Sequence, residues 1–266
     1  MLSAMDFTDD QLHRYSRHII LPEVGGVGQE RLLRSKVLVV GAGGLGAPLL
    51  LYLAAAGVGT LGVVDDDVVD RSNLQRQVIH DESGLGRLKV ESAAARIAAL
   101  NPDVRVQAHP TRITRDNALE LIGGYDLVAD GSDNFATRFL LNDACFLAKK
   151  PLVSAAILRF DGQISSYKAH LGAPHPCYRC LFPEPPPRGL VPSCSEGGVL
   201  GALAGAVGSL QATEVLKELL GLGESLSGSL LMMDTLHASF QRIGFKRDPA
   251  CALCGDHPTI HDLSAH

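Results

Sequence analysis

Residues 36–46 read KVLVVGAGGLG, an apolar run of strand length that leads directly into a glycine-rich loop. The run Lys36–Val40 shows no alternation of apolar and polar residues, which is typical of a central strand buried on both faces. Residues 47–56 are rich in Ala and Leu and stop at Gly57, so they predict a helix. Residues 60–65 are largely apolar again, and they predict the second strand of a strand–helix–strand unit.

The alternation of strand and helix patterns continues along the chain. The predicted elements are helices at residues 89–100, around 116–122 and at 134–148, and strands at residues 104–108, 126–129 and 152–157. Strands separated by helices indicate a parallel, doubly wound sheet. We therefore predict an α/β fold with a Rossmann-like, mainly parallel sheet.

The pattern changes after Arg159. Residues 160–163 (FDGQ) have turn chemistry between two β-prone runs, which predicts an antiparallel hairpin that continues the sheet. Residues 183–192 (PEPPPRGLVP) predict an exposed loop, because proline lacks the amide donor and restricts its neighbours. Residues 197–213 are apolar but short and diluted by glycine, so they predict a buried helix rather than a membrane span.

The composition limits the class of protein. With 266 residues, 46% of them hydrophobic, the chain is long enough to bury a full core. A net charge of −5 offers no basic surface for phosphate neutralisation, so nucleic-acid binding is disfavoured. The N-terminus, MLSAMDFTDDQ, has no cationic patch followed by an apolar run, so we expect no targeting peptide, no membrane partner and a cytoplasmic location. Thr8 and Gln11 have the spacing of a capping box, which predicts a short helix.

The glycine-rich loop has the chemistry of a phosphate-binding turn, with Gly41, Gly43, Gly44 and Gly46 as the candidate residues. Glycines allow a tight turn and close approach of the backbone, and the following helix supplies free N–H groups and a positive dipole end. Asp65 ends the second strand, where it is placed to accept hydrogen bonds from ribose hydroxyls. NAD, FAD and ATP fit this pattern equally, and a glycine turn that only packs helix on strand is the alternative without a ligand.

The segment after Asp65 distinguishes among these nucleotides. It is crowded with polar side chains where a dehydrogenase normally has a plain helix, namely Asp67, Asp70, Arg71, Asn73, Gln75 and Arg76. Transfer of an adenylyl group requires neutralisation of charge on the leaving pyrophosphate, and Arg76 and Lys89 are our candidates for this role. The alternative is that both are surface cations paired with Asp81 or Glu91.

A second polar stretch, residues 130–134 (DGSDN), follows another predicted parallel strand. Ligands bind at the carboxyl ends of strands in open α/β sheets, so Asp133 is our candidate to hold magnesium against the nucleotide phosphates. The alternative role for Asp133 is the N-cap of the next helix, since Asp is among the preferred residues there. The two roles are compatible if Asp133 and Asn134 divide them.

Two C-x-x-C pairs lie far apart in the second half of the chain, Cys177 with Cys180 and Cys251 with Cys254. Together they supply four thiolates in the arrangement of a structural zinc site, which leaves no open position for catalysis. Disulfides or redox-active dithiols are the alternatives, because C-x-x-C is also the thioredoxin-type spacing.

The remaining two of the six cysteines have different settings. Cys145 falls in an apolar helix and is predicted to be a buried packing residue, because free cysteine behaves as a small hydrophobe. Cys194 joins the proline-rich loop to a predicted helix N-terminus, a setting that lowers a thiol pKa and exposes the thiolate. A nucleophilic role and a merely exposed thiol both stay open for Cys194. His257 and His261 are either substitute zinc ligands or part of a solvated tail.

Several motifs together resemble the ThiF/MoeB/HesA family of ubiquitin-activating-enzyme-like adenylyltransferases. The resemblance covers nearly the whole chain, and the phrase SNLQRQ with KVES, SDN and CYRC is far more specific than the glycine loop. The matching stretches are Arg14-Tyr15-Ser16-Arg17, the loop at 41–46, Asp65, residues 72–76, residues 86–91, residues 132–134 and both cysteine pairs.

The resemblance implies ATP, magnesium and zinc as cofactors. It places Asp65 on the ribose and Arg76 and Lys89 on the phosphates, and the paired cysteines on zinc. The residues it implies around ATP and its magnesium are Gly44, Asp65, Asn73, Arg76, Lys89 and Asp133. Our further candidates for nucleotide binding are Ser72, Leu74, Gln75 and Asn134. Family members are homodimers in which an N-terminal arginine, here Arg17, reaches into the partner's nucleotide site. Cys194 matches the position that forms a covalent adduct with the carrier in some relatives.

The resemblance also implies a substrate, the C-terminal Gly-Gly end of a small ubiquitin-like sulfur-carrier protein. Adenylation would activate this carrier for thiocarboxylate formation in molybdopterin or thiamine biosynthesis. The chain ends soon after Cys254, without the rhodanese-like domain of some relatives, so we expect a separate sulfur donor such as a cysteine desulfurase or a rhodanese. The sequence departs from the family pattern at Asp67 and Asp70 and has Ser132 where many relatives have threonine.

We expect one domain with three parts: a helical arm at 1–35, a nucleotide-binding half at 36–157, and a carrier-binding and zinc-binding half at 158–266. The expected reaction is attack of the carrier's terminal carboxylate on the α-phosphate of ATP, which gives an acyl-adenylate and pyrophosphate. Two other functions stay open, an NAD(P)-dependent oxidoreductase, which the glycine loop and Asp65 also suit, and a non-catalytic, zinc-stabilised dimeric binding module.

Overall fold

The sheet combines parallel and antiparallel strands, as the sequence predicts. The strands are β1 Lys36–Val40, β2 Thr60–Val64, β3 Arg105–His109, β4 Leu127–Asp130, β5 Leu152–Leu158, β6 Asp161–Tyr167, β7 Ser229–Asp234 and β8 Ser239–Gly244. The computed structural model describes residues 7–187 and 197–266, and within them these strands form one sheet in the order β3-β2-β1-β4-β5-β6-β7-β8. The first five strands in that order are parallel, and the last three pair antiparallel.

Helices connect the parallel strands and cover the sheet. The α-helices of the described residues are α1 Asp9–Arg14, α2 Ser16–Ile19, α3 Gly25–Arg34, α4 Gly46–Ala55, α5 Lys89–Leu100, α6 Ala118–Gly123, α7 Phe135–Leu147, α8 Tyr178–Leu181 and α9 Gly201–Leu220. Short 3-10 helices lie at Arg71–Asn73, Glu82–Gly84 and Ala169–Leu171. The predicted helices and strands of the first half are confirmed to within two residues at each end.

The packing of β1 explains why helices lie on both faces of the sheet. Successive side chains of a strand point to opposite faces, so a strand that is apolar throughout needs both faces covered. Val39 belongs to a buried cluster with Leu53 of α4 and Val207 of α9. Leu38 belongs to a second cluster, which contains Phe139 of α7. The glycine loop that follows β1 is therefore held by a strand packed from two sides.

The N-terminal arm begins with the capping box that the sequence predicts. The Thr8 hydroxyl oxygen accepts from the Gln11 N–H, and the Gln11 Oε1 accepts from the Thr8 N–H, both at 3.2 Å. Tyr15 follows α1 and is 2% exposed. Its hydroxyl donates to Asp103 at 3.2 Å and accepts from Asn101 at 2.9 Å, which ties the arm to the end of α5.

The predicted hairpin is present, but its predicted turn is misplaced. β5 ends at Leu158 and β6 begins at Asp161, so Gly162 and Gln163 are strand residues. A Cβ on Gly162 would lie 2.5 Å from Cγ2 of Val207, so this glycine serves the close approach of α9 to the strand. The turn is made earlier, at Arg159, whose φ of 55° lies in the left-handed region.

The predictions for the second half are tested only in part. Residues 183–187 of the proline-rich stretch have no helix or strand, and residues 188–192 and Cys194 lie outside the described residues. The apolar stretch at 197–213 lies mostly in α9, whose buried residues include Leu203 and Val215. No helix in the described part of the chain is long and apolar enough to cross a membrane.

Candidate functional site

A cleft opens at the carboxyl ends of β1, β2 and β4. β1 lies between β2 and β4 in the sheet, so the connections on its two sides diverge, and ligands bind at such switch points in open α/β sheets. The cleft has a volume of about 220 Å³. It brings together the predicted site residues Asp65, Asn73, Arg76, Lys89, Asp133 and Asn134.

The glycine-rich loop forms one wall of the cleft through Gly41, Gly43 and Gly44. Gly41 has a φ of 95°, and a Cβ on it would lie 2.9 Å from the carbonyl oxygen of Gly131. Gly46 opens α4, and a Cβ there would collide with the Gly41 carbonyl. Gly41 is therefore required by the contact of the loop with the residue after β4, and Gly46 by the tight turn of the loop itself.

Asp65 lies at the end of β2 and faces the glycine loop. Its Oδ2 accepts from the Ala42 N–H at 2.8 Å, and its Oδ1 accepts from the Asp67 N–H at 2.9 Å. Each carboxylate oxygen keeps a further lone pair, because an ionised carboxylate has about four acceptor sites. Asp65 is thus held in place by the backbone while it retains the capacity to accept from ribose hydroxyls.

Arg76 reaches the cleft from the segment after the 3-10 helix Arg71–Asn73. Its Nη1 donates to the Ser72 carbonyl at 3.2 Å, and its Nη2 lies 3.5 Å from the Asn73 Oδ1. No carboxylate of the described residues forms an ion pair with Arg76. The alternative interpretation, in which Arg76 is a surface cation paired with Asp81 or Glu91, is wrong.

Lys89 opens α5, and it is paired, although with a residue that the sequence does not suggest. Its Nζ lies 2.8 Å from Oδ2 of Asp67, and its side chain is only 6% exposed, against 67% for Asp67. The expected surface pair with Asp81 or Glu91 is therefore wrong for Lys89 as well. The structure instead points a largely buried ammonium group toward the cleft and balances it with a carboxylate at the rim.

Two neighbouring residues of the polar stretch after β4 have different roles, one as a helix cap and one as part of the cleft lining. Asn134, not Asp133, is the N-cap of α7, because its Oδ1 accepts from the Thr137 N–H at 2.8 Å. Asp133 lines the cleft beside it. The alternative of Asp133 as the cap is therefore wrong, and its carboxylate is left available for a cation or a phosphate-bound metal.

Arg138 is a cleft residue that sequence reasoning missed. It lies one turn into α7 and lines the cleft, with its side chain 8% exposed. Its Nη2 donates to the Ser132 carbonyl at 3.0 Å, and its Nε lies 4.0 Å from the buried carboxylate of Asp130. The Ser154 hydroxyl donates to that carboxylate at 2.7 Å. The signal in the sequence is an arginine within the apolar first half of this predicted helix.

A second cavity adjoins the cleft through Asp133, Arg138 and Ile157. Its volume is about 190 Å³, and it runs along β5 and β6 past Gly162 to Met232. The two cavities share the Asp133 carboxylate and the Arg138 guanidinium. A ligand in the second cavity would therefore reach the nucleotide cleft beside one acidic and one basic side chain.

The four paired cysteines come together beside the C-terminal part of α7, where Phe146 packs against them. Their sulfurs all lie within 4.8 Å of one another. The S···S separations are 3.9 Å for Cys177–Cys180, 3.6 Å for Cys177–Cys251 and 3.4 Å for Cys180–Cys254. These separations exclude disulfide bonds, and they fit the S···S edge of about 3.8 Å that follows from a tetrahedral ion with Zn–S bonds of about 2.3 Å.

Hydrogen bonds within the cysteine cluster divide the protons unevenly. A hydrogen bond from Cys177 lowers the pKa of Cys180 to about 7 and another lowers the pKa of Cys251, while hydrogen bonds within the cluster raise the pKa of Cys177 and of Cys254. The Asp248 N–H donates to the Cys180 sulfur at 3.4 Å. Arg179, within the first knuckle, donates to the buried Asp143 at 2.8 Å and 2.7 Å. The donor set and its hydrogen bonds therefore fit a structural zinc ion.

Other predicted residues do not meet in the cleft. Arg17 lies in α2, is exposed, and does not line the cleft of this single chain. Ser72, Leu74 and Gln75 lie outside the cleft lining, although Asn73 between them is part of it. Cys194 lies outside the described residues. Cys145 is 2% exposed, which confirms its predicted packing role.

Comparison with known sequences assigns a family to this arrangement. The ThiF family model matches residues 15–253. A Thermus thermophilus protein named sulfur carrier protein adenylyltransferase is 55% identical over 97% of this chain and 96% of its own length. A Haloferax volcanii protein named SAMP-activating enzyme E1 is 54% identical over 96% of this chain and 93% of its own length. The pig protein named adenylyltransferase and sulfurtransferase MOCS3 is 54% identical, and the chain spans 56% of its length.

Comparison with solved structures supports the fold. The crystal structure of E. coli MccB with MccA-N7isoASN superposes with a TM-score of 0.80 at 22% identity, covering 94% of this chain and 76% of that one. E. coli MccB with ATP superposes with a TM-score of 0.77 at 21% identity, covering 91% of this chain and 73% of that one. At this identity the likeness concerns the fold, and it confirms the expected mixed sheet.

Proposed function

The chain belongs to the ThiF family, and from that premise we propose that it uses ATP to adenylate the C-terminal glycine of a ubiquitin-like sulfur-carrier protein. Relatives at 54–55% identity carry the names sulfur carrier protein adenylyltransferase and SAMP-activating enzyme E1, and both are covered over more than nine-tenths of their length. The oxidoreductase and the non-catalytic module gain no support from these relatives.

The observation that carries the proposal is the pair of cations in the cleft. Arg76 lies there with no carboxylate partner among the described residues, and Lys89 lies there largely buried. A leaving pyrophosphate concentrates negative charge, and preorganised cations in a partly dry site stabilise it strongly. A nicotinamide cofactor keeps its diphosphate intact and has no comparable requirement. The cleft therefore suits transfer of an adenylyl group.

The reaction is one substitution at phosphorus. An oxygen of the carrier's terminal carboxylate bonds to the α-phosphorus of ATP, and the bond from that phosphorus to the bridging oxygen breaks. Pyrophosphate leaves with the electron pair, and the carrier becomes an acyl-adenylate. Asp65 holds the ribose, while Arg76 and Lys89 balance the phosphate charge. The protein's contribution is positioning and charge stabilisation rather than covalent chemistry.

Asp133 fits the role of a magnesium ligand. Carboxylate oxygens are the ligands that magnesium takes in nucleotide sites, and Asp133 lines the cleft without serving as the helix cap. Magnesium bound there would neutralise phosphate charge. Asp133 would hold the magnesium ion beside Arg138, at the opening between the two cavities.

Zinc in the cysteine cluster would be structural. The sulfurs of Cys177, Cys180, Cys251 and Cys254 would complete a tetrahedral shell, so no position is left for a reactant. The cluster joins α8 to the C-terminal segment. Zinc would therefore hold the carrier-binding half together rather than take part in adenylation.

Three further features complete the proposal. The enzyme is a homodimer, in which Arg17 of one chain completes the nucleotide site of the other, and this fits the exposed position of Arg17 here. A separate cysteine desulfurase or rhodanese then supplies sulfur to the acyl-adenylate. The carrier belongs to molybdopterin or thiamine biosynthesis, and Cys194 is a candidate for the covalent adduct during sulfur transfer.

Carrier-dependent exchange of pyrophosphate into ATP tests the proposal directly. We expect exchange of labelled pyrophosphate only when the protein, magnesium, ATP and a Gly-Gly-tailed carrier are all present. The matched control is the same carrier without its last two residues, which should support no exchange. Absence of exchange with every Gly-Gly-tailed carrier of the source organism would contradict the proposal. Saturable binding of NADH without binding of ATP would favour the oxidoreductase instead.

A further inference from the structure

His80 is buried beside the glycine-rich loop and bonds three segments of the chain. Its Nε2 lies 3.0 Å from the carbonyl oxygen of Ala42, and its Nδ1 lies 2.9 Å from the hydroxyl oxygen of Ser92. Its backbone N–H donates to the Gln77 carbonyl at 3.0 Å. The residue is 6% exposed. The His80 side chain therefore links the loop to helix α5, and its backbone N–H bonds it to the segment that carries Arg76.

The Ala42 carbonyl determines where the ring proton of His80 lies. A carbonyl oxygen can only accept, so Nε2 carries the hydrogen and donates it. Nδ1 of the neutral ring is then an acceptor, and the Ser92 hydroxyl donates to it. Burial lowers the pKa of His80, which keeps the imidazole in this neutral form at neutral pH.

The bond from His80 to Ala42 also sets the direction of the next amide. In a planar trans peptide, the C=O of one residue and the N–H of the next form one rigid unit and point in opposite directions. Gly43 lines the cleft, whereas His80 does not. When His80 holds the Ala42 carbonyl on the side away from the cleft, the Gly43 N–H points back toward it.

The Gly43 N–H is available for a ligand. Of the residues that the structure describes, none accepts a hydrogen bond from it. The preceding peptide unit is fixed as well, because the Ala42 N–H donates to Asp65 at 2.8 Å. The N–H of Ala42 is thus held by Asp65, the residue proposed to bind the ribose, and its carbonyl is held by His80. The two bonds leave the loop little freedom to rotate the Gly43 amide.

We propose that His80 is a positioning residue that aims the Gly43 N–H at a phosphate group of the bound nucleotide. The inference rests on the proposed use of ATP and adds a residue that does not itself touch the ligand. Backbone N–H groups of a glycine loop at a helix N-terminus are common donors to nucleotide phosphates. In this chain the direction of that donor depends on a histidine from a distant segment.

Two substitutions of His80 distinguish the contributions of its two ring nitrogens. In His80→Gln the amide nitrogen lies near the position of Nε2 and keeps the donor to Ala42. In His80→Asn the polar atoms lie near the position of Nδ1, so the partner for Ser92 is kept and the donor to Ala42 is lost. We expect His80→Asn to weaken ATP binding by about tenfold and His80→Gln by no more than about threefold.

Adenosine distinguishes positioning from general loosening of the site. Binding is measured without carrier, by displacement of a fluorescent ATP analogue with either ATP or adenosine. Adenosine lacks phosphates, so His80→Asn should leave its binding within about twofold of the wild-type value while ATP binding weakens. A purely structural role would weaken both ligands equally. His109→Asn is the matched control, because His109 is a half-buried histidine outside the cleft lining, bonded to Tyr125.

The outcomes separate this inference from the function on which it rests. A wild-type protein that binds no ATP would overturn the proposed function and this inference with it. A wild-type protein that binds ATP, with His80→Asn binding it equally tightly or losing adenosine to the same extent, would overturn the inference alone. If His80→Asn does not fold, Ser92→Ala tests the same point, because it removes the hydroxyl that orients the ring. Selective weakening of ATP binding by about threefold in Ser92→Ala supports the inference, and no change contradicts it.

Discussion

The charged groups of the nucleotide cleft and those of the cysteine cluster have different kinds of partner. In the cleft, the protein itself supplies partners: Lys89 is paired with Asp67, and Asp65 accepts two backbone N–H groups. In the cluster, the four cysteine sulfurs lie within 4.8 Å of one another and contact each other. The protein's own contacts therefore organise the cleft, whereas the proposed zinc ion would organise the cluster.

This difference matches what each region has to do. A site that binds ATP and releases pyrophosphate in every cycle must keep its shape when it is empty, and Asp65, Arg76 and Lys89 are each held by a hydrogen bond or an ion pair within the protein. The cysteine cluster joins two segments 74 residues apart, and the zinc proposed for it would have to stay bound permanently. Removal of the ion should consequently affect the fold, and removal of a cleft residue should affect the reaction.

Loss of the zinc ligands should have the largest effect on stability. In Cys180→Ser/Cys254→Ser the remaining sulfurs cannot complete a tetrahedral shell, and the free energy of metal binding is part of the free energy of folding. We expect zinc content to fall to near zero and Tm to fall by roughly 10 °C or more, measured by calorimetry and metal analysis.

Cys145→Ala is the control for this double variant, because Cys145 is a buried cysteine outside the cluster. It should keep a full complement of zinc. Wild-type protein that contains no zinc when purified without chelator, or a double variant with unchanged Tm, would show that the cluster does not depend on an ion.

Arg76→Ala should have the largest effect on the reaction. The substitution removes from the cleft a cation that forms no ion pair with the residues the structure describes, and loss of one preorganised group at a developing charge commonly lowers rates by about 100-fold or more. We expect carrier-dependent pyrophosphate exchange to fall by that factor with Tm unchanged. Arg71→Ala is the matched control, since Arg71 is 75% exposed and paired with Glu82. Equal losses in both variants would contradict a specific role for Arg76.

Asp67→Asn should have a smaller effect, which lowers the stability of the fold but strengthens the binding of ATP. It removes the partner of a largely buried ammonium, but Asp67 is 67% exposed, so solvent screens the loss. We expect a loss of about 1 kcal/mol in the free energy of unfolding and ATP binding tighter by about threefold, because Lys89 no longer has a competing partner. Asp66→Asn is the control, because it makes the same change in a neighbour that forms no ion pair within residues 7–187 and 197–266. Weaker ATP binding in Asp67→Asn alone would instead make Asp67 a ligand of the nucleotide or its metal.

Acid should destabilise the region of the cleft even when zinc is retained, and this is the smallest effect expected. Burial lowers the pKa of His80 and of His109 below the ordinary value of 6.5. As the pH falls below that value, the unfolded chain takes up protons that the folded chain does not, so the free energy of unfolding falls. We expect Tm to decrease from pH 7.5 to 5.5, and to decrease less in His80→Gln. A Tm that rises as the pH falls, with zinc content constant, would contradict this sign.

Much of the cleft was predictable because its residues follow directly on strands. The glycine loop follows β1, Asp65 follows β2, and Asp133 follows β4, and the ends of neighbouring parallel strands meet at one edge of a sheet. The apolar runs and the Ala/Leu-rich helix predicted those strands without knowledge of distant contacts. The spacing of the cysteines likewise indicated one shared site.

The partners of these residues were not predictable in the same way. Lys89 pairs with Asp67, 22 residues before it, rather than with nearby Glu91, and His80 bonds Ala42, 38 residues before it. Gly162 looked like a turn residue, but it lies within β6 where α9 packs against the strand. Each of these outcomes depends on which segments pack together, and local sequence patterns do not contain that information.

By itself, the sequence determined the α/β fold class, the family, the glycine loop and the set of four cysteines. Periodicity and residue spacing are local properties, and local propensity agrees with the final fold in these regions. Only the tertiary structure decided that Asn134 caps α7 while Asp133 faces the cleft, that Arg138 joins the two cavities, and that His80 holds the loop. Those roles arise from hydrogen bonds and packing between side chains and backbone whose geometry exists only once the chain has folded.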